Sequence, residues 1–187
     1  KNPSAKVAYS WTHNIDESGE SLGKGAIGNY SGYVLPQLLL RDFIGNGSNV
    51  MIRRDAFEAI GGFDVSLTNS EDSDLYLRLA AKYEFTFVAA PQIFYRVSPY
   101  SKSSNIEKLE IMSVRVTAKA FASAPSSLQY LKPYRLRMNY AYLIYRGLET
   151  KPGSQRTVLI LKFCAKLVRL SPILLIKRGL YKVLIKI

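Results

Sequence analysis

The sequence predicts a mixed α/β half up to about residue 100, followed by an all-helical half. Two observations predict this division. Strand patterns, short helices and glycine-rich turns alternate up to Arg96, whereas the segments from Ser104 onward read as helices with no strand between them. Charge divides the chain too: no Asp or Glu follows Glu149, and every charged side chain from Lys151 to Ile187 is basic. Three segments result, 1–100, a helical region 101–150 and a basic amphipathic tail 151–187.

The first strand is Lys6 to Thr12, where Val7, Tyr9 and Trp11 alternate with Ala8, Ser10 and Thr12. Asn14 to Tyr33 is polar and glycine-rich, which suits a hairpin or long loop. Val34 to Arg41 reads as a short helix, Gly45-Asn46-Gly47-Ser48 as a turn, and Asn49 to Arg53 as a strand. A helix over Asp55 to Ile60 stops at the Gly61-Gly62 pair, a C-terminal cap signal. The next helix begins in Thr68-Asn69-Ser70-Glu71-Asp72-Ser73-Asp74 and runs to about Lys82. Phe85 to Val88 and Ile93 to Arg96 read as two short strands flanking Pro91. Helices are expected over Ile106 to Phe121, Ser127 to Leu148, Gln155 to Leu170 and Pro172 to Lys186.

The acidic stretch carries the chemistry. Three carboxylates, Glu71, Asp72 and Asp74, crowd one helix start in a chain of net charge +12. A helix N-terminus favours negative charge, and Thr68 with Glu71 has capping-box spacing, so a plain helix start accounts for much of the pattern. Asp72 differs, because it lies over Leu75, Tyr76 and Leu79 and so heads the apolar stripe. A carboxylate at the edge of a core suits a general base.

Composition excludes several chemistries. The single cysteine, Cys164, allows no intrachain disulfide and no cysteine-based metal site, and the single histidine, His13, allows no multi-histidine site. No run of about 18 apolar residues is present. A reduced, cytoplasmic setting is the simplest expectation, with a peripheral position on the membrane's cytoplasmic face suggested by the tail. There, residues 154–187 combine apolar faces with Lys162, Lys166, Arg169, Lys177, Arg178, Lys182 and Lys186, which suits an anionic membrane surface. The alternative is that these helices pack on the domain with solvated lysines. Aromatic residues are not interleaved with the basic run, so nucleic acid is not an expected partner.

Three pieces in fixed order resemble family-2 nucleotide-sugar glycosyltransferases of the GT-A fold. They are Gly45 to Phe57, then Ile60-Gly61-Gly62-Phe63-Asp64, then Glu71 to Leu79 followed by Tyr95-Arg96. The resemblance covers roughly residues 1–100. It implies an incomplete GT-A (nucleotide-diphospho-sugar transferase) domain with a mixed sheet. It also implies transfer of a sugar from a nucleotide-diphosphate donor to a hydroxyl of a saccharide or lipid-linked acceptor, with inversion, in cell-surface polysaccharide or glycan synthesis. By match, Asp72 would be the base and Glu71 would orient the base or contact the acceptor. Gly45, Asn46, Gly47 and Ser48 would lie near donor sugar or acceptor, and Tyr95 and Arg96 near the donor diphosphate. Relatives often carry a histidine shortly after Tyr-Arg; Ser98 stands there instead.

The family's nucleotide-binding half and its Asp-x-Asp metal motif would precede Lys1, since the one such spacing here, Asp72-Ser73-Asp74, lies too late in the order. A divalent Mg²⁺ or Mn²⁺ is therefore expected in the full-length enzyme, with its ligands mostly outside this chain and none assigned within it. The chain alone is expected not to transfer sugar, which a nucleotide-sugar turnover assay checks. A non-catalytic basic membrane-surface or interaction module is the alternative from a different class.

Overall fold

The computed structural model describes residues 2–98, 101, 105–150 and 153–170. A four-stranded mixed sheet forms its centre. Strand β1 (Val7–Ile15) pairs in parallel along its whole length with β4 (Phe85–Arg96). Its other edge is shared by two short antiparallel strands, β3 (Val50–Ile52) against Val7 to Tyr9 and β2 (Ser21–Lys24) against His13 to Ile15. Being central, β1 is covered on both faces: Val7 and Tyr9 are buried, and so are Ser10 and Thr12. The Thr12 hydroxyl is satisfied by accepting from the Ala26 N–H at 2.8 Å.

The two short strands expected around Pro91 are one strand. Its register against β1 jumps from Ser10↔Val88 to Trp11↔Pro91 and again to Thr12↔Ile93. Pro91 lacks an N–H, and it sits at one of these irregularities, where a proline is tolerated.

Helices α1 (Leu35–Leu40), α2 (Arg54–Ala59) and α3 (Glu71–Ala80) complete the first half. Leu75, Tyr76 and Leu79 of α3 and Leu35, Leu38 and Leu39 of α1 share one core with Val7, Tyr9 and Phe85. Each such side chain contributes about 1.5–3 kcal/mol by leaving water.

Helix α4 (Ile106–Ser123) follows, then a 3₁₀ segment (Ser126–Leu131), α5 (Lys132–Thr150) and α6 (Gly153–Leu170). The single helix expected over Ser127 to Leu148 is thus split. Pro133 lies in the first turn of α5, where its missing N–H removes no helical bond. The boundary placed near residue 100 runs through a shared core, because Val116, Phe121 and Leu131 pack into the sheet's own cluster. A second core holds α4, α5 and α6 together through Ile106, Tyr140, Leu143, Ile160 and Phe163.

Helix α6 spends its apolar face on that packing, with Leu159, Ile160, Phe163, Cys164 and Leu167 buried. Its basic face is partly paired as well. Lys162 lies 3.4 Å from Glu110, and Lys166 bonds the same carboxylate. For α6 the packed arrangement therefore replaces an apolar face offered to a membrane. The final expected helix, Pro172 to Lys186, lies outside the described residues. Among the described residues no helix is long and apolar enough to cross a membrane.

Candidate active site

The acidic stretch begins α3 in a way its spacing does not reveal. Helical geometry starts at Glu71, and the residue before it, Ser70, has φ 59° and makes no side-chain cap bond. The expected Thr68–Glu71 capping box does not form, because Glu71 is the first helical residue and not the third. A serine in the left-handed region costs on the order of 1 kcal/mol, a strain typical of functional sites. The cap is supplied differently: Asp72 Oδ1 accepts the Ser73 N–H at 2.8 Å.

Asp74 is wholly structural. Its carboxylate, 3% exposed, is held by Arg78 at 2.8 Å and by Lys119 of α4 at 2.8 Å. Arg78 also donates to the carbonyls of Ile60 and Gly62, at 2.9 and 2.7 Å. Lys119 also bonds Asp64, at 2.7 Å. Two of the motif pieces, Ile60 to Asp64 and Glu71 to Leu79, are thereby stapled together. Gly61 and Gly62, with φ of 79° and 66°, give the turn that presents those carbonyls.

Asp72 faces the other way, into a cavity of about 570 Å³. The turn Gly45 to Ser48 forms one wall. That turn is fixed by three kinds of bond. Asp42 Oδ1 accepts from the N–H groups of Ile44 and Gly45, at 2.9 and 3.0 Å. Asn46 Oδ1 accepts from the Ser48 N–H at 2.9 Å. The Tyr76 hydroxyl, one helical turn beyond Asp72, donates to the Asn46 carbonyl at 2.9 Å. Gly45 has φ 84°, which a side chain would strain. At Gly47 an added Cβ would lie 3.7 Å from Asp72 Cβ and 3.9 Å from its Oδ2, taking space beside the carboxylate.

Glu71 and Tyr95 also line the cavity. Arg96 does not. Its guanidinium donates to the carbonyls of Asp16 and Glu17, at 2.7 and 2.8 Å, and so braces the β1–β2 loop. Adjacent strand residues point to opposite faces, so Tyr95 and Arg96 cannot both face the same cavity. Ser98 bonds Glu17, at 2.7 Å.

Two charged residues of opposite sign, not singled out from the sequence, stand on the cavity wall beside Asp72. Asp42 follows α1, and Arg135 comes from α5. Arg135 is 6% exposed, donates to the Leu38 carbonyl at 2.8 Å and to the Ser73 hydroxyl at 3.0 Å, and leaves its buried Nε without a hydrogen-bond partner. It ties α1 and α3 together immediately behind Asp72 and brings a buried positive charge to the cavity wall.

The electrostatic result is a tuned carboxyl. Burial pushes Asp72 up to about 6, and the neighbouring Asp42 and Glu71 carboxylates add to this against the Ser73 N–H bond. A carboxyl with a raised folded-state value destabilises the fold as it ionises. That cost is absent below the ordinary value of 3.8, grows through the window up to about 6, and is full above it. Asp72→Asn is therefore expected to stabilise the chain by roughly 1–3 kcal/mol at pH 7. Urea denaturation at pH 7 and at pH 3.5 checks this, since the gain disappears at the lower pH.

The model of the family described as "Glycosyltransferase like family 2" matches residues 1–146. The chain belongs to this family. The match takes in the sheet, the cavity and most of α5, so Arg135 lies inside the transferase domain along with Asp72. No curated protein matches the chain. Among the described residues of this transferase domain, no group of three or more His, Cys, Asp or Glu side chains is placed to hold a metal ion. Asp42, Glu71 and Asp72 are not grouped to hold one.

Proposed function

We propose that this glycosyltransferase domain presents an acceptor hydroxyl to a nucleotide-diphosphate sugar, with Asp72 as general base. One observation carries the reading: a carboxyl tuned to about 6 stands on the wall of a 570 Å³ cavity in a chain of this family. The acceptor O–H gives its proton to Asp72 as its oxygen forms the bond to the anomeric carbon. The bond from that carbon to the diphosphate oxygen breaks on the opposite face, so configuration inverts. Glu71 orients the acceptor, while the Gly45–Ser48 turn and Tyr95 border the sugars. Arg135 holds α1 and α3 in register and brings a positive charge to the cavity wall, which Arg96 does not line.

In this proposal the donor nucleotide, and any divalent metal, are held mainly by residues outside the chain. A peripheral position on a cytoplasmic membrane face remains part of the proposal for the basic residues 171–187.

Asp72 accepts a proton only when ionised. The expected profile of transfer by the full-length enzyme therefore rises with a slope of one through pH 6 and levels above it. Asp42→Asn removes a like charge facing Asp72 and keeps an oxygen for the Ile44 and Gly45 N–H groups. Its rising limb is expected at lower pH than that of the parent. A limb that does not move, or a profile flat from pH 4 to 8, speaks against the assignment.

A further inference from the structure

The helical wall of the cavity carries a polar group that the chemistry above does not use. Arg135, Met138, Asn139 and Tyr142 share the face of α5 that meets the cavity. Asn139 stands one helical turn, about 6 Å, along α5 from Arg135. Arg135 in turn bonds Ser73, the residue after Asp72. Asn139 and Asp72 therefore border the same space from different helices.

Hydrogen bonds behind Asn139 fix which end of its amide is free. Thr117 of α4 is 1% exposed, and its hydroxyl donates to the Ser113 carbonyl at 2.8 Å. With that proton committed, the Thr117 oxygen can only accept. It accepts from the Asn139 amide nitrogen at 2.9 Å, and the Ser113 carbonyl accepts from the same nitrogen at 3.3 Å. Both neighbours are acceptors, so the NH₂ group has to face α4, and both of its N–H bonds are spent there. Among the described residues nothing donates to Asn139 Oδ1, and this oxygen is not enclosed by the fold. Asn139 thus offers the cavity a hydrogen-bond acceptor in a fixed orientation, and no donor.

A fixed acceptor selects a donor. Asp72 takes the proton of one substrate hydroxyl, and a second hydroxyl of the same molecule satisfies Asn139 Oδ1. A molecule held at two hydroxyls has its orientation set, and with it the hydroxyl that meets Asp72. We propose that Asn139 chooses the reacting hydroxyl, by accepting a hydrogen bond from a second hydroxyl of the substrate. This rests on the transferase reading and adds a specificity-determining residue to it.

The test is NMR titration of the 187-residue chain with glycerol and with propan-1-ol, each to molar concentration, read at the Asp72 carboxyl carbon. The two probes share a carbon chain, and only glycerol has further hydroxyls. Glycerol is expected to bind roughly three- to tenfold more tightly than propan-1-ol. Asn139→Leu lowers glycerol to the level of propan-1-ol and leaves propan-1-ol as it was. Asn139→Asp accepts the Thr117 proton and keeps a second oxygen on the cavity, so it retains the preference for glycerol even where its Tm falls. Equal binding of the two probes by the parent overturns the proposal, as does a failure of glycerol to bind. An Asn139→Leu variant that still prefers glycerol overturns it too. Loss of the preference in both variants alongside a fall in Tm would make Asn139 a bridge between α4 and α5 alone, and is equally fatal to it. Loss of transfer in Asp72→Asn of the full-length enzyme, beside an Asn139→Leu chain that still prefers glycerol, would leave the transferase reading standing and remove this inference alone.

Discussion

Asp72→Asn is expected to abolish sugar transfer by the full-length enzyme, lowering kcat by about 10²–10⁴-fold, while donor binding is retained. Asparagine keeps the Oδ1 that accepts the Ser73 N–H, so the start of α3 is preserved. What it removes is the one group in the cavity that is both half-buried and tuned to about 6. A group with that value is largely ionised at pH 7 and still basic enough to draw a proton from a polarised hydroxyl. The same substitution should raise stability at neutral pH, because a partly desolvated charge has been deleted. Loss of activity with a gain in stability is the signature of a residue retained for chemistry. Transfer within a few-fold of the parent would remove Asp72 from the mechanism.

Asp74→Ala, two residues away, is expected to act in the opposite direction. Asp74 is 3% exposed and joins α3 to α4 through Lys119 and anchors Arg78, which in turn holds the Ile60 and Gly62 carbonyls. Deleting one partner of a buried ion pair typically costs about 3–5 kcal/mol. Here Arg78 and Lys119 are 25% and 39% exposed and can rehydrate in part. A loss of about 2–3 kcal/mol is expected, or roughly 5–10 °C in Tm, read by thermal denaturation. A change below about 1 kcal/mol would mean that the network contributes little more than a surface pair.

The contrast between these two residues shows how much of the site was legible. Asp72 could be singled out because helical spacing places it over Leu75, Tyr76 and Leu79, and those three are buried as that spacing requires. The strands β1 and β3 and the helices α1 to α4 were legible from alternation and from the Gly61-Gly62 stop. Other features depend on tertiary packing. Ser70 takes its left-handed conformation on the cavity wall, and nothing local forecasts it. The Arg96 direction follows from strand alternation, which could have been applied to the Tyr95-Arg96 pair. Arg135 sits among Lys132, Pro133, Tyr134 and Arg137 and looks like one more basic surface residue. Its signal was its spacing: it lies four residues from Leu131 and eight from Leu143, both buried, so it shares the inward face of α5. Asp42 was hidden in a similar way. An aspartate three residues before a glycine reads as a turn former, and it is one, but its carboxylate also faces Asp72.

The tail divides between these cases. Its amphipathic pattern correctly gave a helix over Gln155 to Leu170. Amphipathicity alone does not say what covers the apolar face, and here α4 and α5 cover it.

The central claim is that burial beside Asp42 holds the Asp72 carboxyl near neutrality. Carboxyl-carbon NMR titration of the chain, with Asp72→Asn as the assignment control, measures it directly. The account predicts one aspartate resonance titrating near pH 6 that is missing from the variant. An Asp72 resonance titrating at or below the ordinary carboxylate value of 3.8 would contradict it.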